Sequence, residues 1–236
     1  MGANYSRKVR RRVVASLLVL AVVTVIGFSR PHSLPTEPAE TRFQKLSVEG
    51  HTLASWSGPW ACVHDRDSGL VWEVKTDDGG VHDGEWSYSW YQSQSVSLPS
   101  TSTSTSTSTS AFGVAGRGDC GFKSRGCDTQ DLISISNQMQ HCGFSNWRLP
   151  TLAEWQSIFL PPISDGYPKL RRDLFLNVKA GDYWSANQTK KLPTAYAHLG
   201  EGAISVNVFS LQQLRLPYRN AAFVMLVADV PPASTP

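Results

Sequence analysis

The stretch Trp147-Arg-Leu-Pro-Thr-Leu-Ala-Glu-Trp155 decides how the middle of this 236-residue chain folds. Its proline restricts the backbone at the entry to a helix. Thr151 followed by Glu154 is the capping-box pattern, which satisfies free N–H groups in a first helical turn. We expect the tryptophans to fill core and the arginine to pair with an acidic group inside the fold. These features predict a structural motif, not a ligand site, made of Trp147, Arg148, Leu149, Pro150, Thr151, Glu154 and Trp155.

Two helices are predicted around this motif. Residues 128–142 place apolar side chains at helical spacing behind Asp128, which can cap the helix, and Gly143 ends it. The second helix begins at Thr151, carries its apolar stripe through Phe159 and ends before the following prolines.

Strands are predicted for most of the remainder. Two alternating apolar runs flank a turn at residues 66–69, where Gly69 can take a positive φ. Further strands are predicted at residues 86–91, 183–186, 195–199, 203–208 and 221–227, the third and fourth of these as a hairpin. Residues 100–110 alternate Ser and Thr and are predicted to form a flexible surface loop, because they cannot bury apolar surface. The predicted fold class is α+β, mostly antiparallel, with two helices.

The first 30 residues predict export. Residues 7–12 are strongly basic, and residues 13–28 form an uncharged apolar run intermediate in length between a signal-peptide core and a membrane span. An uncleaved signal anchor in the inner membrane is favoured over a cleaved signal peptide. In both cases the rest of the chain is exported, to the periplasm or outside the cell. The exported part is predicted to comprise a linker at residues 31–42, a folded domain at 43–229 and a disordered tail at 230–236.

Four cysteines in an exported chain predict two disulfide bonds, with three pairings open. Cys120 and Cys127 enclose a short glycine-rich loop that can close locally, which would leave Cys62 to reach Cys142. That pairing is favoured. A zinc site is disfavoured, because the sequence has no Cys-x-x-Cys and no histidine at ligand spacing. No metal or other cofactor is expected.

The charge distribution argues against a nucleic-acid partner. Six of the 22 Lys and Arg residues fall in the first 30 residues, so the remainder carries 16 basic and 19 acidic residues. A nucleic-acid binder needs a basic face to replace phosphate counterions. Three small basic clusters could instead clamp the sulfate or carboxylate groups of a glycan. These candidate ligand residues are Lys169, Arg171 and Arg172, then Lys190 and Lys191, and finally Arg215 with Arg219.

Seven blocks occur in order along residues 56–228. They are Trp60-x-Cys-Val-x-Asp-x-x-Ser-Gly-Leu-x-Trp-Glu-x-Lys75, His82-Asp83, Tyr88-Ser-Trp-Tyr91, Cys127-Asp-Thr129, Cys142-Gly143, Asn146-Trp-Arg-Leu-Pro-Thr-x-x-Glu154 and Tyr183-Trp-Ser185. This series resembles the C-terminal domain family of the Legionella collagen-like adhesin.

The resemblance implies a C-type-lectin-like fold and an adhesin-like role. Formylglycine-generating sulfatase modifiers use a similar fold and share the run from Arg148 to Trp155. The Glu-Pro-Asn and Trp-Asn-Asp motifs with which C-type lectins bind sugar through calcium are absent from the sequence. Calcium-dependent sugar binding is therefore not expected.

The sequence favours a non-enzymatic, exported binding module of a bacterial cell envelope that recognises glycans. The alternative is a module that binds another envelope protein or a surface appendage. An unrecognised hydrolase is a second alternative, although no catalytic motif is found. His82-Asp83 is predicted to be a turn, and no cysteine follows Cys142, whereas the sulfatase modifiers use cysteines late in their chains.

Overall fold

The computed structural model describes residues 42–97, 107–124, 126–160, 169–189 and 191–230. The predicted membrane segment at residues 13–28 lies outside this part of the chain, as does almost all of the predicted linker and tail. Within the described residues, no helix is long and apolar enough to cross a membrane.

A four-stranded antiparallel sheet forms one side of the domain. It contains β1 (Phe43–Leu46), β2 (Cys62–Asp65), β3 (Leu70–Glu73) and β13 (Val227–Asp229), in the order β1-β2-β3-β13. The predicted hairpin is confirmed, since β2 pairs with β3 across a turn in which Gly69 has φ 71°. Trp72, at the centre of the sheet, pairs with Val63 on one side and Val227 on the other.

A second antiparallel sheet has the order β11-β10-β9. Its strands are β9 (Asp182–Thr189), β10 (Gly202–Asn207) and β11 (Gln213–Pro217). The predicted strand at residues 195–199 is wrong: Thr194–Leu199 forms a 3-10 helix with no buried residue. Its alternating side chains stay mostly exposed, and β10 pairs with β9 and β11 instead.

The predicted strand at residues 221–227 is divided in two. Ala221–Ala222 forms β12, which pairs with β4 (Tyr88–Ser89), whereas β13 begins only at Val227. The chain passes from one sheet to another between them. The predicted aromatic strand at residues 86–91 is likewise interrupted at Trp90, after which β5 begins.

Two further pairs of strands complete the β structure of the described residues. They are β5 (Tyr91–Ser97) with β6 (Thr107–Gly113), and β7 (Phe159–Leu160) with β8 (Lys169–Leu170). The prediction of a flexible loop at residues 100–110 is therefore wrong for residues 107–110. These residues hydrogen-bond to β5 in register, and such a backbone ladder needs no apolar face. Residues 98–106 lie outside the described part.

The described residues contain two α-helices, α1 (Thr129–Gln138) and α2 (Leu152–Ser157). Both start with a capping box: Asp128 and Asp131 cap α1, and Thr151 and Glu154 cap α2. The first helix is shorter than predicted because Gln140 takes a left-handed conformation (φ 49°). Cys142 consequently lies on a separate 3-10 turn, His141–Gly143.

Disulfide bonds and buried tryptophans hold these elements together. Cys62 is bonded to Cys142 and Cys120 to Cys127, the pairing favoured from the sequence. The core contains two clusters, one built around Trp90, Trp147 and Trp184 and the other around Trp72 and Trp155. The described residues thus form an α+β domain with mostly antiparallel strands.

Candidate binding groove

A cavity of about 500 Å³ opens between the start of β5, the first turns of α1 and the motif at residues 147–154. This volume is within the range of roughly 300–1,000 Å³ that is typical of ligand sites. We call it the groove. Its lining is mostly uncharged and consists of Trp90, Tyr91, Gln92, Ser93, Thr129, Gln130, Ile133, Trp147, Arg148, Leu149, Thr151, Glu154 and Ala186.

Hydrogen bonds between distant segments fix the walls of the groove. The Thr129 hydroxyl donates to the Tyr91 carbonyl oxygen (2.6 Å) and accepts from the Tyr91 N–H (3.0 Å), which ties β5 to α1. The Asn137 side chain bonds both the N–H and the carbonyl of Trp147. Ala186 N–H donates to the Pro150 carbonyl oxygen at 2.8 Å. Hydrogen bonds to the backbone therefore preform the groove.

Arg148 uses all its side-chain N–H groups inside the protein. A guanidinium offers five N–H donors. Two of them bond the Glu154 carboxylate at 2.8 and 2.9 Å, and two bond Asp229 at 2.8 and 3.1 Å. The fifth reaches the Leu149 carbonyl oxygen at 3.3 Å. Arg148 thus links the motif to β13, in agreement with the predicted acidic partner.

The charges of this network stabilise one another. The hydrogen bonds that Arg148 donates to Glu154 raise the pKa of Arg148 above its ordinary value, against the effect of burial. Burial alone would raise the pKa of Glu154, but the bonds from Arg148 and from the Thr151 N–H outweigh it and hold that pKa below its usual range. Both groups are ionised at neutral pH, and together they contribute no net charge to the groove.

The polar groups left free in the groove are neutral. Among the described residues, no side-chain partner is present for the Tyr91 hydroxyl, the Gln92 amide or the Ser93 hydroxyl. Gln130 donates one side-chain N–H to Ser134 at 3.1 Å, and its side-chain carbonyl oxygen remains available as an acceptor. Tyr91 and Gln92 are half-buried and Ser93 is exposed. The groove therefore offers neutral donors and acceptors beside apolar side chains.

The predicted basic ligand residues lie on separate elements. Arg171 bonds Asp173 through Nε at 2.9 Å, and Arg172 donates to the Val178 carbonyl oxygen at 3.1 Å. Lys169 is exposed on β8, whereas Lys190 lies outside the described residues. The first cluster therefore has two of its three cations engaged within the protein.

The other basic residues lie around the second sheet. Arg215 is exposed on β11 opposite Ile204, Lys191 follows β9, and Arg219 follows β11. Because β9 and β11 both run toward the Gly202 end of β10, Lys191 and Arg219 leave the sheet at the same end.

Arg219 lines a second cavity, of about 220 Å³, together with Arg117. Both side chains are exposed, and within the described part of the chain neither has a side-chain partner. Sequence analysis did not single out Arg117, because it is isolated in a glycine-rich segment far from the other basic residues. It likewise missed Gln92, Ser93, Gln130 and Ile133, which only long-range packing brings together.

A buried ionic cluster lies apart from these surfaces. The Glu73 carboxylate accepts hydrogen bonds from Lys75 Nζ and His82 Nδ1, both at 2.8 Å, and from the Leu226 N–H. His141 stacks on His82. Glu73 is fully buried and the other three ionisable side chains nearly so. Burial opposes the charge on Glu73, but Lys75 and His82 lower its pKa to about 2.

The surroundings of His82 and His141 indicate a structural role. The Asp83 carboxylate accepts the N–H groups of Gly79 and Glu85, so His82-Asp83 forms part of a turn. Ligand atoms of Cys62, His141 and Cys142 lie within 4.8 Å of one another, but the two sulfurs are joined in a disulfide bond. A disulfide offers no thiolate to a metal.

The fold and the groove define a disulfide-linked α+β domain with a preformed surface cavity. The chain belongs to the Lcl C-terminal domain family, whose profile matches residues 61–227, more than half of its length. This confirms the resemblance seen in the seven sequence blocks. Neither the curated proteins nor the solved structures contain a significant match.

Proposed function

We propose that this protein is a non-enzymatic binding module of a bacterial cell envelope and that it recognises glycans through the groove. The observation that carries the proposal is the lining of the groove. It combines a half-buried tyrosine and apolar walls with amide and hydroxyl groups that have no partner in the described residues. A sugar ring presents apolar C–H faces and hydroxyl edges, which match such a surface.

The proposal includes an exported location. Residues 13–28 anchor the chain in the inner membrane, and the domain lies in the periplasm or outside the cell, or is secreted if the segment is cleaved. Two disulfide bonds in the domain support this location, because disulfides persist in oxidising compartments. The proposal also gives the domain a C-type-lectin-like fold, consistent with its mixed α+β architecture and its family.

A protein partner in the envelope or a surface appendage is the second candidate. It is supported by exposed aromatic side chains, since Trp56 is 71% exposed and Phe209 66%. Large exposed aromatics are enriched at protein interfaces. Binding of Trp56→Ala and Phe209→Ala variants to envelope proteins and to glycans would separate the two candidates. These substitutions should weaken binding of a protein partner and leave glycan binding intact.

The test of the proposed function is binding of the oxidised full chain in detergent to a broad glycan array, with and without EDTA. We expect reproducible binding to a defined set of glycans that EDTA does not reduce. Circular dichroism of the same sample establishes that the domain is folded. A folded protein that binds no glycan would refute the proposal, and binding lost in EDTA would mean that calcium takes part.

A further inference from the structure

We infer that the groove takes an uncharged segment of a glycan, with Tyr91 as the stacking surface and with Gln92, Ser93 and Gln130 as the groups that bond its hydroxyls. This inference rests on the proposed function and names the ligand class of the same site. It follows from the hydrogen bonds of the groove, which leave its charged groups saturated and its neutral groups free.

The only cation lining the groove within the described residues is Arg148. Its five N–H groups are all directed to Glu154, Asp229 and Leu149. A sulfate or carboxylate on the ligand would have to displace one of these carboxylates to bond the guanidinium. It would also meet the negative charge of Glu154, whose pKa is held low. An anionic sugar is therefore disfavoured in the groove.

Neutral polar residues of two elements line the groove. Tyr91, Gln92 and Ser93 are consecutive at the start of β5, and Gln130 lies on the first turn of α1. The Thr129 hydroxyl bonds the backbone of Tyr91 in both directions, so the two elements keep a fixed separation. A half-buried tyrosine with a free hydroxyl presents both an apolar and a polar surface. Amide side chains both donate and accept, as sugar hydroxyls require.

Apolar side chains complete the lining of the groove. Ile133 on α1 is half-buried and Leu149 is nearly buried, and both line the cavity. These side chains suit the C–H face of a sugar but offer nothing to a charged group. The basic residues predicted from the sequence that the structure describes do not line the groove, since they lie on or after β8, after β9, and on or after β11.

Matched pairs of polysaccharides that differ only in sulfation test this inference. We would measure binding of the full chain in detergent to dextran and dextran sulfate and to galactan and sulfated galactan, at about 50 and about 500 mM NaCl. Neutral polymers should bind at least as well as their sulfated forms. Their affinity should change by less than about threefold between the two salt concentrations, because no ion pair is formed.

Substitutions inside and outside the groove test whether the neutral polymer binds there. Tyr91→Ala and Gln92→Ala should each reduce the affinity for the neutral polymer by about tenfold or more, which corresponds to about 1.4 kcal/mol. Tyr91→Phe keeps the ring and should lose only a small part of the affinity. Tyr196→Ala is the matched control, since Tyr196 is exposed on the 3-10 helix outside the groove. Near-ultraviolet circular dichroism of every variant separates lost binding from lost folding.

The outcomes distinguish the two proposals. Binding that requires sulfate, falls steeply with salt and ignores Tyr91→Ala would overturn the neutral-groove inference but leave glycan recognition standing. Absence of binding to any glycan by the folded chain would overturn both. Binding of peptides in the groove, blocked by Tyr91→Ala, would show that the neutral amide groups serve a protein ligand, and this too would overturn the inference.

Discussion

The ring of His141 stacks on the ring of His82 with centroids 3.8 Å apart and planes inclined by 20°. Both side chains are buried, and among the described residues the Nε2 atom of each has no hydrogen-bond partner. Protonation of His141 would place a cation against His82 and close to Lys75. Burial and these neighbours lower the pKa of His141 to about 4, so its imidazole is neutral at neutral pH.

The domain should lose stability as the pH falls. In the unfolded chain His141 titrates near 6.5, whereas in the folded protein it titrates near 4. Between these values the unfolded state binds more protons, so the free energy of unfolding decreases by up to about 3 kcal/mol. Burial also lowers the pKa of His64, which adds to the effect. Glu73 contributes stability above pH 4.5 that is lost toward about 2. Urea unfolding at a series of pH values measures this slope.

A matched pair of variants tests whether His141 causes this pH dependence of the free energy of unfolding. His141→Gln should flatten the pH dependence between 6.5 and 4, whereas His198→Gln, at an exposed position, should leave it unchanged. If His141→Gln retains the full slope of the parent protein, the stacked histidine is not its source.

Lys75 should be far more important for stability than a surface lysine. Removing one partner of a buried ion pair costs about 3–5 kcal/mol, because it leaves the other charge uncompensated. Lys75→Met is therefore expected to lower the free energy of unfolding by about this amount. Lys179→Met breaks an exposed ion pair with Glu85 and should have no measurable effect. Combining Lys75→Met with Glu73→Gln should cost less than the sum of the single changes, and strict additivity in urea unfolding would argue against the pair.

The sequence predicted the parts of this domain that depend on local geometry. The turn at Gly69 and the capping boxes at Asp128 and Thr151 depend on residues within a few positions of one another. The strand at residues 195–199 was mispredicted because alternation alone does not reveal whether a face is buried. The groove was not predictable, since Thr129, Tyr91 and Leu149 meet only through tertiary packing. Arg148 was recognised as a structural residue, but its pairing with Asp229, 81 positions away, was not foreseeable.

The two disulfide bonds should differ in their contribution to stability. Cys62 and Cys142 are 80 residues apart, and Cys120 and Cys127 only 7. On the loop-entropy model the longer closure stabilises by about 4.5 kcal/mol and the shorter by about 2.4 kcal/mol. We expect the Cys62→Ala, Cys142→Ala double variant to show the larger loss in denaturant unfolding. An equal loss for the Cys120→Ala, Cys127→Ala variant would contradict this order.

The cap of α2 should contribute about 1 kcal/mol to the free energy of unfolding. The Thr151 hydroxyl accepts the Glu154 N–H, and the Glu154 carboxylate in turn accepts the Thr151 N–H. Thr151→Ala removes the first bond and should lower the free energy of unfolding, while Thr151→Ser retains the hydroxyl and should recover most of the loss. Thermal unfolding of the three proteins checks this, and equal stability of the Ala and Ser variants would rule out the cap.

Any binding of sulfated glycans should depend on Arg117 and Arg219 and not on the groove. These two exposed arginines line one cavity, and within the described residues neither has a side-chain partner, whereas Arg172 is bonded to a backbone carbonyl. Free guanidinium groups clamp sulfate more effectively than engaged ones. The Arg117→Gln, Arg219→Gln double variant should have an affinity for dextran sulfate about tenfold lower at low salt, whereas Tyr91→Ala should leave this affinity unchanged. A larger loss on combining Lys169→Gln with Arg172→Gln would favour instead the cluster predicted from the sequence.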